Sequence, residues 1–437
     1  MAAADTGAGQ RRPHVVIVGG GFGGMHAARA LKRAPVDVTV LDRTNHHLFQ
    51  PLLYQVATAM LNPSDITVPI RWLLRKQRNT TVLLSEVTAV VPDERRIILD
   101  GGIDDLTYDY LVLATGARHS YFGNDQWERA APGLKNLEDA LEIRRRFVLS
   151  FEIAERTEPG AEREALQTFV VVGAGPTGVE LAGILPSIAG EAFREDFRRI
   201  DTKNARVLLL EGGPRVLPTF PEALARKAER ALQDLGVEVR TGALVTRIEN
   251  DAVYVGDERI PTRNVYWAAG NAASPVARSL GVELDRAGRV KVEPDLSVPG
   301  YPEVFVVGDL ATVAQADGSP VPGVAPAAMQ EGRATAENIR RKLAGESTRP
   351  FRYRNKGDLA TIGRHKAIAK LGPLQLSGTV AWFIWLFVHI MYLVGFRNRV
   401  SVLFQWAYAY FTFQRGVRLL TGTIETQVRL DHDRLVG

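Results

Sequence analysis

Short apolar runs that break into glycine clusters punctuate the first half of the chain. Residues 15–18 are Val-Val-Ile-Val, residues 19–24 are Gly-rich, and 25–33 continue with Ala and Leu at helical spacing. Four consecutive apolar residues bounded by a turn signal read as a buried strand, so the order is strand, turn, helix. Residues 36–41 add a second strand closed by Asp42, which completes a first βαβ unit of about 30 residues. The pattern returns further on, with a strand at 169–172, a Gly-rich turn at 173–178, a helix at 179–185 and a strand at 207–210 closed by Glu211. Between the two units, 87–99 and 106–114 read as strands, the second leading into Ala114-Thr115-Gly116. Beyond them, 221–235 carry Leu224, Ala228, Ala231, Leu232 and Leu235 at helical spacing before Gly236 stops the helix. Residues 237–240, 265–269 and 304–307 read as strands, and 326–343 as a helix with proline in its first turn. From about 380 to 413 the pattern changes to an almost unbroken aromatic and aliphatic stretch holding three of the six tryptophans, Trp382, Trp385 and Trp406.

The chemistry lies in the two glycine turns. Gly19, Gly21 and Gly24 fit G-x-G-x-x-G between a strand and a helix, and so do Gly173, Gly175 and Gly178. The first glycine permits a tight turn, the second lets a pyrophosphate approach the backbone, and the third brings helix against sheet. Asp42 and Glu211 stand at the ends of the following strands, where a carboxylate accepts hydrogen bonds from a ribose. At the second loop such an acid repels a 2'-phosphate and favours NADH over NADPH, with Arg215 close enough in sequence to weaken the inference. The expected fold is α/β, with two Rossmann-like dinucleotide-binding domains and a C-terminal amphipathic helical region. The first site is assigned to FAD and the second to NADH.

Composition narrows the chemistry further. The chain has no cysteine, so a redox dithiol, a cysteine sulfenate, an iron-sulfur cluster and disulfides are all excluded. The formal net charge is only +5 over 437 residues, without a Lys/Arg stripe interleaved with aromatics, and no nucleic-acid partner is expected. No metal site is expected either. Residues 1–13 lack the apolar core of a secretory signal, which implies synthesis without export.

With these residues in view the chain resembles the two-dinucleotide-binding-domain flavoproteins, and within them the type II NADH dehydrogenases. The resemblance rests on the paired loops, on Ala114-Thr115-Gly116 and Ala268-Ala269-Gly270, on Val306-Val307-Gly308-Asp309, on the stretch from Asn45 to Gln55, on Gly175-Pro176-Thr177-Gly178-Val179-Glu180 and on the aromatic C-terminus. It runs from about 13 to 422. It implies a non-proton-pumping NADH:quinone oxidoreductase, and it implies roles for residues. Thr115, Gly116, Gly270, Gly308 and Ala328 would lie against cofactor, and Asp309 at the flavin ribityl or pyrophosphate. Gln50 and Pro51 would lie at the isoalloxazine edge, Glu180 at the nicotinamide and Gln330 on the quinone side. Residues 325–330 match the quinone-side motif at Ala325, Ala328 and Gln330, but Pro326 stands where the family has glutamine.

The implied organisation is an FAD domain over 1–130 and 295–340, an NADH domain over 131–294 and a C-terminal region over 341–437 with membrane-binding helices at about 380–413. A 17-residue helix reaches about 25 Å, short of the roughly 30 Å bilayer core. Val402, Trp406, Tyr410 and Phe413 recur at helical spacing, and Arg397, Arg399, Arg415 and Arg418 flank the aromatics, as in helices lying in the headgroup layer. The expected partners are a membrane quinone and a lipid surface, at the cytoplasmic face, in a peripheral or monotopic arrangement. A homodimer interface, an ordinary core hairpin and a true span remain alternatives for this segment. A flavin-bearing NADH sensor and an NADH-dependent ferredoxin or rubredoxin reductase remain alternatives for the whole chain.

Overall fold

The computed structural model describes residues 11–101, 105–315, 318–412 and 419–420, with the side chains of 396 and 408–412 left out. The chain divides into two compact units, each assembled from separate stretches. The first comprises Met1–His47, Val68–Arg118 and Asn271–Asn355, and the second Leu48–Thr67, His119–Gly270 and Lys356–Gly437.

The first unit is built on a six-stranded sheet in the spatial order Ser297–Val298, Tyr301–Val306, Tyr110–Leu113, His14–Val18, Asp37–Asp42, Thr80–Leu84. All pairings are parallel except that of Ser297–Val298 with Tyr301–Val306. His14–Val18 pairs with Asp37–Asp42 on one side and Tyr110–Leu113 on the other, so the strand order reverses at its carboxyl end, where α/β sheets bind ligands. Alternation along this strand sends Val15 and Ile17 into one buried cluster with Met25, Leu31 and Phe305, and Val16 and Val18 into another with Leu111, Val276 and Leu280. Burial on both faces is why the strand reads as continuous Val/Ile. Helices Phe22–Ala30 and Ala325–Leu343 pack closely, and a Cβ at Gly332 would collide with the Gly23 carbonyl.

The second unit repeats the plan with a parallel sheet in the order Val237–Thr241, Arg206–Glu211, Thr168–Val172, Asn264–Trp267. Helix Pro176–Ser187 leaves the glycine turn, and the expected helix at 221–235 is present as Glu222–Asp234. A buried group of Phe147, Phe151, Phe169 and Phe193 packs against this sheet.

Two expected strands are broken. Residues 87–99 form Val87–Val91 and Arg96–Leu99 as an antiparallel pair, because Pro92-Asp93-Glu94 turns the chain and Arg95 takes φ +50. Leu106–Thr107 belongs to that small sheet, whereas Tyr110–Leu113 joins the large one. The C-terminal pattern hid a further element. Asp358–Ile362, Lys366–Leu371 and Leu374–Gly378 form an antiparallel sheet that helix Thr379–Tyr392 packs against.

Helix Thr379–Tyr392 buries Ala381 and Trp385 and turns Val380, Phe383, Phe387 and Met391 outward at 50–65% exposure. Spacings of three, four and four residues put these four on one face. Helix Phe396–Thr412 likewise exposes Leu403 and Phe404 and buries Val402. Among the described residues, no helix is long and apolar enough to cross a membrane. Phe413, Arg415 and Arg418 lie outside the described residues, as does the side chain of Tyr410.

Candidate functional site

In the first unit the chain turns out of His14–Val18 at Gly19, whose φ of +105 is open to glycine and strained for other residues. A Cβ at Gly19 would strike the Ala114 carbonyl, and one at Gly24 would strike Gly19 itself, whereas one at Gly21 would meet nothing within 4 Å. The outer two glycines therefore permit close packing, and the middle one opens space in front of the N-terminus of Phe22–Ala30. Unpaired N–H groups and the helix dipole at such a point favour an anion. Asp42 closes the turn: its carboxylate accepts from the Gly20 N–H at 2.5 Å and from the Thr44 N–H and hydroxyl at 2.7 and 2.8 Å. His47 reaches the same turn from below, buried, with Nδ1 2.9 Å from the Gly20 carbonyl and its ring edge-on to Phe22.

Gly116 has φ +69 and its carbonyl accepts from the Ser274 N–H at 3.2 Å. The Thr115 hydroxyl is buried with no hydrogen-bond partner among the described residues. Gly308, at φ +71, starts the turn that carries Asp309, and Ala328 faces it from helix Ala325–Leu343. The Gly308 N–H donates to Glu331, an acid the sequence reading passed over. Burial, aided by the nearby Asp309 charge, lifts the Glu331 carboxyl to about 7 against the opposing hydrogen bond from Gly308. An acid inside the small-residue run at 325–332 was the available signal. Gln330 has both ends of its amide engaged with main chain: Nε2 donates to the carbonyls of Pro326 and Arg354 at 3.1 Å, and Oε1 accepts from the Arg354 N–H at 3.1 Å. As placed, it latches the helix to the segment at 354.

In the second unit the same construction recurs. Gly173 has φ +99, and a Cβ there would come within 2.7 Å of the Ala269 nitrogen. A Cβ at Gly178 would strike Gly173, and one at Gly175 would meet nothing within 4 Å. Glu211 accepts from the Ala174 N–H at 2.6 Å and the Gly213 N–H at 2.7 Å. The Ala174 carbonyl is held by the Leu217 N–H at 2.8 Å, with buried Leu217 in the left-handed region at φ +47. Arg215 donates to the Pro218 carbonyl at 2.8 Å. Gly270 takes φ +74 and accepts from the Ser120 N–H. Glu180 retains some exposed surface, yet its carboxyl is enclosed by protein. Desolvation pushes it to about 8 against one long contact, 3.5 Å, from the Thr361 N–H.

Gln50 and Pro51 belong to this second unit, in the turn Gln50–Leu52, where Gln50 Nε2 donates to the Lys135 carbonyl at 3.2 Å. Their stretch is tied to the C-terminal helices. Asp65 accepts from Ser401 and Gln405 at 2.9 and 3.0 Å, and Trp406 Nε1 donates to Gln55 at 2.7 Å. Trp385 stacks on His389 with centroids 4.3 Å apart and lies 5.6 Å from Trp406. Burial takes the His389 imidazole down to about 4, so it stays neutral.

The residues of both turns suit a dinucleotide: a positive-φ glycine, an open helix N-terminus and an acid at the end of the neighbouring strand. The orphaned Thr115 hydroxyl adds a buried polar atom awaiting a partner in the first.

Comparison with known proteins agrees with this architecture. Residues 13–332 match the family model of pyridine nucleotide-disulphide oxidoreductases, and residues 355–415 match the NDH2 C-terminal domain. The type II NADH:quinone oxidoreductase Ndh of Mycobacterium tuberculosis is 46% identical over 425 residues, covering 94% of this chain and 91% of its own. NdhA of the same organism, also a type II NADH:quinone oxidoreductase, is 46% identical over 428 residues and covers 94% and 90%. In fold, the chain superposes on NDH2 from Plasmodium falciparum in complex with NADH with a TM-score of 0.86 at 20% identity, covering 93% of this chain and 100% of that one.

Proposed function

The chain belongs to the type II NADH:quinone oxidoreductases, and from that premise we propose that the turn at Gly19–Gly24 holds FAD and the turn at Gly173–Gly178 holds NADH, with a quinone as electron acceptor. The observation that carries the assignment is the duplicated cradle. Each turn has the same steric demands, the same open helix N-terminus and the same carboxylate on the second residue of the loop, Gly20 or Ala174. When bound, the flavin supplies the redox chemistry, accepting hydride from the nicotinamide and returning electrons to the acceptor. The chain's own residues bind and orient. Asp42 and Glu211 read the riboses, while Gly21 and Gly175 admit pyrophosphate. Thr115, Gly116, Gly308, Asp309 and Ala328 line the flavin side. Gly270 and Glu180 serve the nicotinamide side. Burial raises the Glu180 carboxyl to about 8, which favours its neutral form, a group able to donate as well as accept a hydrogen bond on the nicotinamide side. Gln330 serves the quinone side by holding the segment at 354 rather than through a free amide.

The cysteine-free sequence agrees with an acceptor reduced without a dithiol, and family membership favours quinone over the sensor and ferredoxin-reductase readings. The outward stripe of Val380, Phe383, Phe387 and Met391 supports peripheral or monotopic association with a lipid surface. NADH is a soluble cytoplasmic reductant, which makes the cytoplasmic face the side we assign. A homodimer formed through the same stripe is the competing use.

Steady-state oxidation of NADH by a water-soluble quinone, on purified protein whose released flavin is identified by chromatography, tests the reading. FAD and rapid quinone-dependent turnover are expected. Long-lived bleached flavin in excess quinone would sink it.

A further inference from the structure

The two glycine turns are pinned by the same pair of contacts, but with different donors. In each, a carboxylate takes the N–H of the second loop residue, Asp42 from Gly20 and Glu211 from Ala174. In each, a donor also takes that residue's carbonyl. For Ala174 it is the main-chain N–H of Leu217 at 2.8 Å, reached by a buried non-glycine residue in the left-handed region at φ +47. For Gly20 it is a side chain, Nδ1 of His47 at 2.9 Å.

The consequence follows from peptide geometry. A trans peptide directs its carbonyl and its N–H to opposite sides, so fixing the Gly20 carbonyl fixes where the Gly21 N–H points. No acceptor takes that N–H among the described residues, and a Cβ at Gly21 would meet nothing within 4 Å, so the residue stands beside open space at the start of the helix. A carbonyl only accepts, so the His47 proton must lie on Nδ1. With its ring 3% exposed and edge-on to Phe22 at 5.2 Å, the imidazole has little room to turn away.

We propose that His47 is a positioning residue for the flavin nucleotide, a side-chain clamp on the Gly20–Gly21 peptide that aims the Gly21 N–H at the pyrophosphate, as the Leu217 main chain does for the second turn. The groups around it fit this part. His26 and Arg29 on the adjoining helix and the Asp42 carboxylate act on its charge, and desolvation, the largest influence, keeps it neutral with a pKa near 4. The clamp therefore works unchanged over the physiological range. It rests on the reading that the first turn holds FAD, and it makes a prediction peculiar to that turn: many side-chain substitutions can unfasten the flavin loop, whereas at position 217 only proline would remove the main-chain donor.

Four full-length variants decide it. His47→Asn places an amide N–H near the position of Nδ1 but loses ring volume, His47→Phe keeps the ring and loses the donor, His47→Gln moves the donor one methylene outward, and His47→Leu removes ring and donor together. Flavin release on dilution of the holoprotein is read by fluorescence. Affinity for adenosine diphosphoribose, which contacts the second turn and cannot be oxidised, is read by calorimetry. The Phe, Gln and Leu variants are expected to lose FAD affinity by about tenfold to a hundredfold, and the Asn variant by no more than about threefold, with adenosine diphosphoribose binding unchanged throughout. Phe retaining flavin better than Asn would show that volume matters rather than the donor and would overturn the proposal. So would equal losses at both turns, which would make His47 a general folding residue. Wild-type protein that carries no FAD would instead overturn the assignment of the first turn itself.

Discussion

At the level of single residues, Glu211 and Glu180 show how one residue type serves opposite ends. Glu211 accepts from two main-chain N–H groups, at 2.6 and 2.7 Å, and its remaining lone pairs are those proposed to meet a ribose. Glu211→Ala removes the ribose acceptor, the repulsion of a 2'-phosphate and the closure of the turn together. KM for NADH should rise about tenfold or more, and the preference over NADPH should shrink. Glu211→Gln keeps one acceptor oxygen and should lose less. Steady-state KM values for both nucleotides check this, and intact discrimination in the Ala variant would remove Glu211 from the site. Glu180 has one weak partner and a carboxyl pushed up to about 8. In the fold it holds a proton that the open chain releases above its ordinary value. Stability therefore falls as pH rises from the ordinary carboxyl range towards 8 and levels off beyond. Glu180→Gln should remove that slope, with little change near pH 4 and a gain of up to a few kcal/mol (~2–4) at pH 8 to 9. Denaturant midpoints of the two proteins across this range give the answer, and parallel pH profiles would show that the carboxyl is not held protonated.

The C-terminal helices behave unlike ordinary surface helices. A helix in a globular unit buries its apolar stripe, but Thr379–Tyr392 buries Ala381 and Trp385 and leaves two phenylalanines, a valine and a methionine outside. Its inner face is needed by the fold, since it covers the sheet Asp358–Ile362, Lys366–Leu371, Leu374–Gly378, and Phe396–Thr412 is held through Asp65 and Gln55. Cutting the chain after Leu371 would remove the edge strand and uncover this core, so a deletion would test folding rather than lipid binding. Substituting the outer face is cleaner: Phe383→Glu with Phe387→Glu should leave flavin content and thermal midpoint near wild type. Sedimentation with anionic vesicles should fall at least about tenfold. A double variant that still sediments normally would place the lipid contact elsewhere. Wild-type dimers that the same pair dissolves in the absence of lipid would identify the stripe as a subunit interface.

For the molecule as a whole, one construction is used twice and tuned by what surrounds it. Both turns lie at the carboxyl end of a strand flanked by parallel partners, Asp37–Asp42 and Tyr110–Leu113 in one unit and Arg206–Glu211 and Asn264–Trp267 in the other. The chain has no cysteine, so neither site can hold a dithiol, and on the proposed reading the outward stripe governs which quinone is reached. The outer-face variant should therefore separate two quinones. Turnover with a water-soluble analogue should hold, while turnover with a long-tailed quinone presented in vesicles should drop with lipid association. Equal loss with both would mean that the stripe supports the site itself.

The local pattern alone carried the two cradles, because everything they require is short-range: four β-forming residues, glycines at fixed offsets where φ is positive or a Cβ would collide, and an acid at the end of the next strand. It also carried the aromatic change after about 380, since composition needs no partner to be seen. What it could not carry were contacts between residues far apart in the chain. Whether Gln330 offers its amide outward depends on Arg354, 24 residues on, and whether Gly308 has an acceptor depends on Glu331. That residues 48–67 fold with the second unit, and that Asp65 meets Gln405 across 340 residues, has no periodic signature. A helix's hydrophobicity tells that it seeks apolar contact, but only tertiary packing decides which residues find it inside, as Trp385 does, and which, like Phe383 and Phe387, are left facing out.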